Sequence, residues 1–154
     1  NNSLLKEDEE APNLIKDLKY VSKDILGNEY IISSEYSTLN LEKTNIINME
    51  EVNATITMLD KEPIFVKSKF AIYDNETYET IFFDNVVINY LDNIVNSEKF
   101  EISVKDNFAQ VSEKVIYQNP NIKLEADVIE IDLITKNSKI FMIDDKKKIK
   151  ITNN

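Results

Sequence analysis

Carboxylates are the reactive groups this chain holds in quantity: 28 Asp and Glu against 18 basic residues, for a formal charge of −10. Close pairs include Glu50-Glu51, Glu98 with Glu101, and Asp144-Asp145. Two carboxylates across a cleft, one held protonated, are the machinery of glycoside hydrolysis. Nothing in the spacing singles out two of the 28 for that work. A calcium loop needs turn carboxylates at fixed intervals, and no such loop occurs. Tyr and Lys can act as acid or base, yet no spacing gathers them.

The missing residues narrow the field further. The chain has no His, Cys, Trp or Arg. Zinc, copper and iron sites lose their usual ligands, and Cys or His-activated Ser nucleophiles are excluded. Without Arg there is no bidentate clamp for phosphate or carboxylate. The single glycine, Gly27, rules out phosphate-cradling loops. The acidic balance repels a phosphate backbone, so no nucleic-acid partner is expected. Lys146-Lys147-Lys148 is the one basic run, and after Asp144-Asp145 it reads as a solvated turn. The expectation is a protein that is not an enzyme and that holds neither metal nor cofactor.

The elements behind these residues are strands. A unit of about thirty residues recurs in four degenerate copies. Tyr30, Ile64, Ile94 and Ile122 align. Ile32, Val66, Asn96 and Leu124 follow two residues on, then Ser34, Ser68, Glu98 and Ala126, then Tyr36, Phe70, Phe100 and Val128. A period of two marks a strand with one buried face. Met49-Glu50-Glu51-Val52 aligns with Phe83-Asp84-Asn85-Val86, and the polar pair Asp84-Asn85 predicts a bulge or bend. Val111 to Val115 fits the same break with a one-residue slip. From Ile122 to Leu133 the apolar phase shifts, from Ile122, Leu124, Ala126 and Val128 to Ile129, Ile131 and Leu133.

The 154 residues, 42% hydrophobic, suit one domain with a real core. Residues 1–12 read as a flexible charged leader and 13–151 as the domain. Asn13 to Ser22 reads as a first strand, with a short helix as rival because Leu14, Ile15 and Leu18 also fit helical spacing. Ten or so strands with short polar turns predict an all-β sandwich or barrel-like fold. Many strands are apolar on both faces, which suits either a curved sheet or a trough open to a greasy ligand.

Leu26-Gly27-Asn28-Glu29-Tyr30-Ile31-Ile32-Ser33-Ser34 and Met49 to Ala54 resemble the opening of the lipopolysaccharide-export LptC family. Ile64 to Lys69, Tyr73-Asp74 and Ile81 to Ile88 resemble its next repeat, and Ile122 to Phe141 its last full one. The related periplasmic bridge family, LptA, shares these motifs. Where the family often has glycine before the Val of the break, this chain has Glu51, Asn85 and Lys114. Asn tolerates unusual backbone angles better than Glu or Lys.

The resemblance implies an open, twisted antiparallel β-jellyroll in a Gram-negative periplasm, tethered to the inner membrane by an N-terminal anchor upstream of these residues. It implies a non-enzymatic transport module that holds lipopolysaccharide acyl chains in an apolar groove. Its partners would be lipopolysaccharide, inner-membrane ABC exporter subunits and a bridge protein of the same fold, met by strand addition. The expected groove lining is Ile32, Tyr36, Ile64, Val66, Phe70, Ile72, Phe100, Ile102, Leu124 and Val128, with Tyr30 and Ile56 near an end; the same residues would serve as ordinary core. The alternatives are an edge-to-edge assembling β-protein without cargo, which would form homo-oligomers, and a carbohydrate-binding sandwich using Tyr73, Tyr78 and Tyr90.

Overall fold

Alternating apolar residues build strands, and Asp and Asn build the turns between them. The computed structural model describes residues 14–141 and 150–153. The expected leader and the Asp144 to Lys148 turn lie outside them. The strands are β1 (Leu14–Lys23), β2 (Glu29–Leu39), β3 (Ile46–Thr57), β4 (Ile64–Asp74), β5 (Thr80–Tyr90), β6 (Asn93–Ser103), β7 (Phe108–Gln118), β8 (Ile122–Asp132), β9 (Ser138–Phe141) and β10 (Lys150–Asn153). They form one ten-stranded sheet in which β1 to β8 pair in chain order. β9 and β10 share the far edge of β8, along Val128–Ile131 and Ile122–Glu125. Among the described residues every pairing is antiparallel and β1 pairs only with β2, so the sheet is an open jellyroll and not a closed barrel. Among the described residues there is no helix, and Leu14 to Ser22 is strand.

The turns are made by one recurrent device. Oδ1 of Asp24, Asn40, Asp74, Asn119 and Asp132 each accepts two backbone N–H bonds from the residues just ahead. Asp74–Glu79 and Asp132–Asn137 are the same turn twice. In both, Thr Oγ1 accepts a backbone N–H (Glu79 to Thr77, Asn137 to Thr135). In both, the next residue is left-handed: Tyr78 at φ 66° and Lys136 at φ 64°. This equivalence confirms the internal repeat. The N–H groups of Thr135 and Ile134 hold the Asp132 carboxyl below its usual range. Asp74 is also lowered: desolvation pushes it up, but the N–H groups of Glu76 and Thr77 outweigh that.

Each of β1 to β8 also breaks in its middle, and the breaks align across the sheet. The odd strands break with left-handed residues: Asp17 (φ 54°), Glu51 (57°), Asp84 (69°), Asn85 (53°), Glu113 (67°) and Lys114 (57°). The strands between them leave residues out of the pairing at Glu35, Lys69, Glu98 and Asp127. The register holds from β1 to β4 and shifts at each pairing from β4 to β8, so the bulge expected at Asp84-Asn85 is present. The buried positions change phase at the break in β2, β3, β4 and β6, while the paired left-handed residues of β5 and β7 keep Phe82 in phase with Val86 and Val111 with Val115; the sheet creases along this line. Inside the crease runs a row of Ser34, Val52, Ser68, Val86, Ser97, Val115 and Ala126, all between 1% and 8% exposed. Ser34 faces Val52, Val52 faces Ser68, Val86 faces Ser97, and Val115 faces Ala126. Small residues alternate with Val because the inside of a fold line leaves no room for larger ones. Ser68 Oγ donates to the Phe70 carbonyl at 2.8 Å and Ser97 Oγ to the Lys99 carbonyl at 3.1 Å, each across its own break. The equivalent hydroxyl of Ser34 is buried without a partner.

The crease divides the sheet into two wings that pack on each other. The first wing holds the strand halves next to the β1–β2, β3–β4, β5–β6 and β7–β8 turns, and the second wing holds the other halves. Tyr20 of the first wing meets Tyr73 of the second, ring centroids 5.0 Å apart. At the rim, Lys136 Nζ donates to the Leu59 carbonyl at 3.0 Å, joining the β8–β9 turn to the β3–β4 turn.

Candidate functional site: the space between the wings

Ile32, Ala54, Ile56, Val66 and Ile88 come from the first wing. Ile47, Met49, Ala71, Tyr73, Phe82, Phe100, Ile102, Ala109 and Val111 come from the second. Together they form one buried cluster, in which Phe82 and Phe100 stack at 5.7 Å between centroids. Among the described residues the buried polar side chains are Ser, Thr and Asn28, and no buried residue carries a charge. The charges sit on the outside of the crease, where Lys69 and Glu51 approach to 3.9 Å.

The space is filled. Its clearest void, lined by Ser22, Tyr30, Ile32, Ala54, Ile56, Tyr73, Tyr78, Thr80, Phe82 and Ile102, measures about 20 Å³. That is room for about one water and far too little for an acyl chain. Tyr30 hydroxyl donates to Asp24 Oδ2 at 3.0 Å. Burial, and then the adjacent Asp24 carboxylate, raise the Tyr30 pKa, so it stays a neutral phenol. Asn28, fully buried, donates from Nδ2 to the same oxygen at 2.9 Å, which pins the β1–β2 turn at this end of the void.

Of the ten residues expected to share one face, Ile32, Val66, Phe100, Ile102, Leu124 and Val128 are buried. Ile64 packs half-buried against the core. Tyr30 and Ile56 line the void. Tyr36, Phe70, Ile72 and Val128 lie on the outer face; Val128, though buried, follows the break at Asp127 and pairs with Ser112 in the row of Lys99, Phe83 and Phe70. Tyr36 is 43% exposed while its neighbour Ser37 is buried, and Phe70 stacks on the outer Phe83 while Ala71 and Tyr73 point inward. The physical reason is the break at Glu35 and Lys69, which turns every later residue of β2 and β4 to the opposite side. In β6 the aligned residue is Ser97 rather than Glu98, and Ser97 is the buried one. Met49, Ala71 and Tyr73 are interior residues that unbroken alternation hides. The signal for them is a small residue followed by a change of apolar phase. Tyr73 is buried and faces inward while Tyr78 is exposed, so Tyr73, Tyr78 and Tyr90 make no flat aromatic platform. Among the described residues no group of acidic side chains could hold a metal ion.

A model of the family described as lipopolysaccharide-assembly, LptC-related, matches residues 2–141. The chain belongs to that family. Its setting is therefore lipopolysaccharide transport. No curated protein matches the chain. The rows that carry the family pattern now have a physical meaning in this LptC-related sheet. The small residue and the Val after the polar break are the two sides of the crease. The places where family members often have glycine are the left-handed positions, which here hold Glu51 at φ 57°, Asn85 at 53° and Lys114 at 57°.

Proposed function

We propose that this LptC-related chain is a non-enzymatic carrier that takes lipopolysaccharide acyl chains between its wings and passes them on across the periplasm. It would receive them from an inner-membrane ABC exporter, beside which it is held, and hand them to a bridge protein of like fold. The observation that supports this reading is the inner face itself: across β1 to β8 its buried side chains are apolar or hydroxylic, with no charge among the described residues. Acyl chains need only such a surface, at roughly 0.8 kcal/mol per buried CH₂. A conduit must also release its cargo, and a wall without clamps or nucleophiles suits that. Because the void holds only about 20 Å³, loading requires the wings to part. The outer edge of β1, which no described residue pairs, offers backbone groups for strand addition by a partner.

The filled interior favours one rival, an edge-to-edge assembling protein without lipid cargo. Photocrosslinking separates the two. A photoreactive residue at Phe82 or Ile102 should capture lipopolysaccharide, and one at the outer Phe83 should not. Capture at Phe83 with none at the inner positions would reject the carrier reading, and concentration-dependent oligomers alone would support the rival.

A further inference from the structure

The edge strand β1 is held against the second wing by an aromatic contact that does more than fill space. Tyr73 is 3% exposed, and it lines the space between the wings together with Ser22 of the opposite wing. Its ring leans on Tyr20 with centroids 5.0 Å apart and 36° between planes. Tyr20 sits on β1, which among the described residues is tied to the sheet on one side only, through β2. A strand with a single neighbour is the part of a sheet that moves most cheaply. Behind the contact lies the void between the wings, where Ile56 and Phe82 give an apolar wall and Tyr30 and Tyr78 add phenol groups. A mouth with hydroxyls in front and aliphatic and aromatic carbon behind matches an amphiphile entering tail first.

We propose that Tyr20 and Tyr73 form a latch that holds β1 shut over the interior, and that an acyl chain loads by breaking it. This rests on the carrier reading given above. The latch stabilises only the closed form, so weakening it raises the fraction of open molecules and tightens apparent binding by the same factor. Loss of one aromatic pair corresponds to a change of roughly two- to tenfold.

Two readouts on the full chain test it. The chain has no cysteine, so Ile25→Cys and Glu76→Cys place spin labels cleanly on the rims of the two wings. Pulsed EPR without any lipid should give one narrow distance in this background. Adding Tyr20→Ala should bring in a longer population, and Tyr20→Leu, which keeps apolar bulk and loses the ring contact, a smaller one. Titration with dansyl-labelled dodecanoate should show Tyr20→Ala binding two- to tenfold tighter. Unchanged distances in both variants overturn the latch whatever the lipid result, and so does unchanged or weaker probe binding by Tyr20→Ala where the wild type binds. Longer distances with no probe uptake by any variant leave the latch standing and reject the acyl-chain reading instead.

Discussion

Lys114→Gly should make the protein more stable, against the common trend that substitutions destabilise. Lys114 sits in the crease at φ 57°, a left-handed conformation that costs a residue with a Cβ about 1–2 kcal/mol. Its side chain is exposed and takes part in none of the ion pairs among the described residues, so little else is lost. Glycine returns roughly 0.5–1 kcal/mol of the gain through the extra freedom of the unfolded chain. The net is a stabilisation of about 0.5–1 kcal/mol, or a Tm rise of about 1–4 °C for a domain this size. Lys114→Val, branched at the same backbone angle, should lose about 1 kcal/mol. Urea unfolding of the three proteins is the assay, with the midpoint moving and the slope unchanged. A glycine variant less stable than the parent would mean that the chain is not left-handed at 114, and the crease geometry built on it would fall.

Phe82→Ala should cost about 3–5 kcal/mol in the same assay because Phe82 is fully buried, while Phe83→Ala on the outer face should cost well under half of that. Ser68→Ala and Ser97→Ala should each lose about 1 kcal/mol with their hydrogen bonds. Ser34→Ala should be neutral or stabilising, because its buried hydroxyl has no partner to lose. Asp132 has a folded-state pKa below its usual value of 3.8, so its contribution is present above about pH 4 and lost as pH falls through the lowered value. Asp132→Asn keeps the turn acceptor without the charge. A plot of Tm against pH should therefore fall less steeply below pH 4 in that variant.

Much of this architecture is written in the residues. Alternation marked β4, β5, β6 and β8 to within a residue or two and β7 from Val111, three residues after its start, and Asp74 and Asn119 marked turns that they cap. The crease was visible where it is loud, at Asp84-Asn85 and in the phase change from Val128 to Ile129. It was silent in β2 and β4. There Ser34-Glu35-Tyr36 and Ser68-Lys69-Phe70 keep a plausible alternation, because the break is enforced by the left-handed Glu51 of the strand between them. A bulge imposed by a neighbour leaves no mark on its own strand, so Tyr36, Phe70 and Ile72 read as inward and Ala71 and Tyr73 as outward. The gap-free match of Met49 with Phe83 misleads for a related reason. β5 carries two left-handed residues where β3 carries one, so Phe82 and not Phe83 shares the inner face with Met49. The closed state of the wings depends on side-chain volumes meeting across the fold, which no pattern along one strand encodes.

The central claim is that cargo enters between the wings, and isoleucine methyl NMR during titration with lipopolysaccharide tests it most directly. Ile32, Ile56, Ile88 and Ile102 report on the inner face, and Ile72 and Ile81 on the outer. The inner methyls should shift together with saturation while the outer two stay in place. Shifts confined to Ile72 and Ile81 would contradict the account, because lipopolysaccharide would then bind the outside of a sheet whose wings never part.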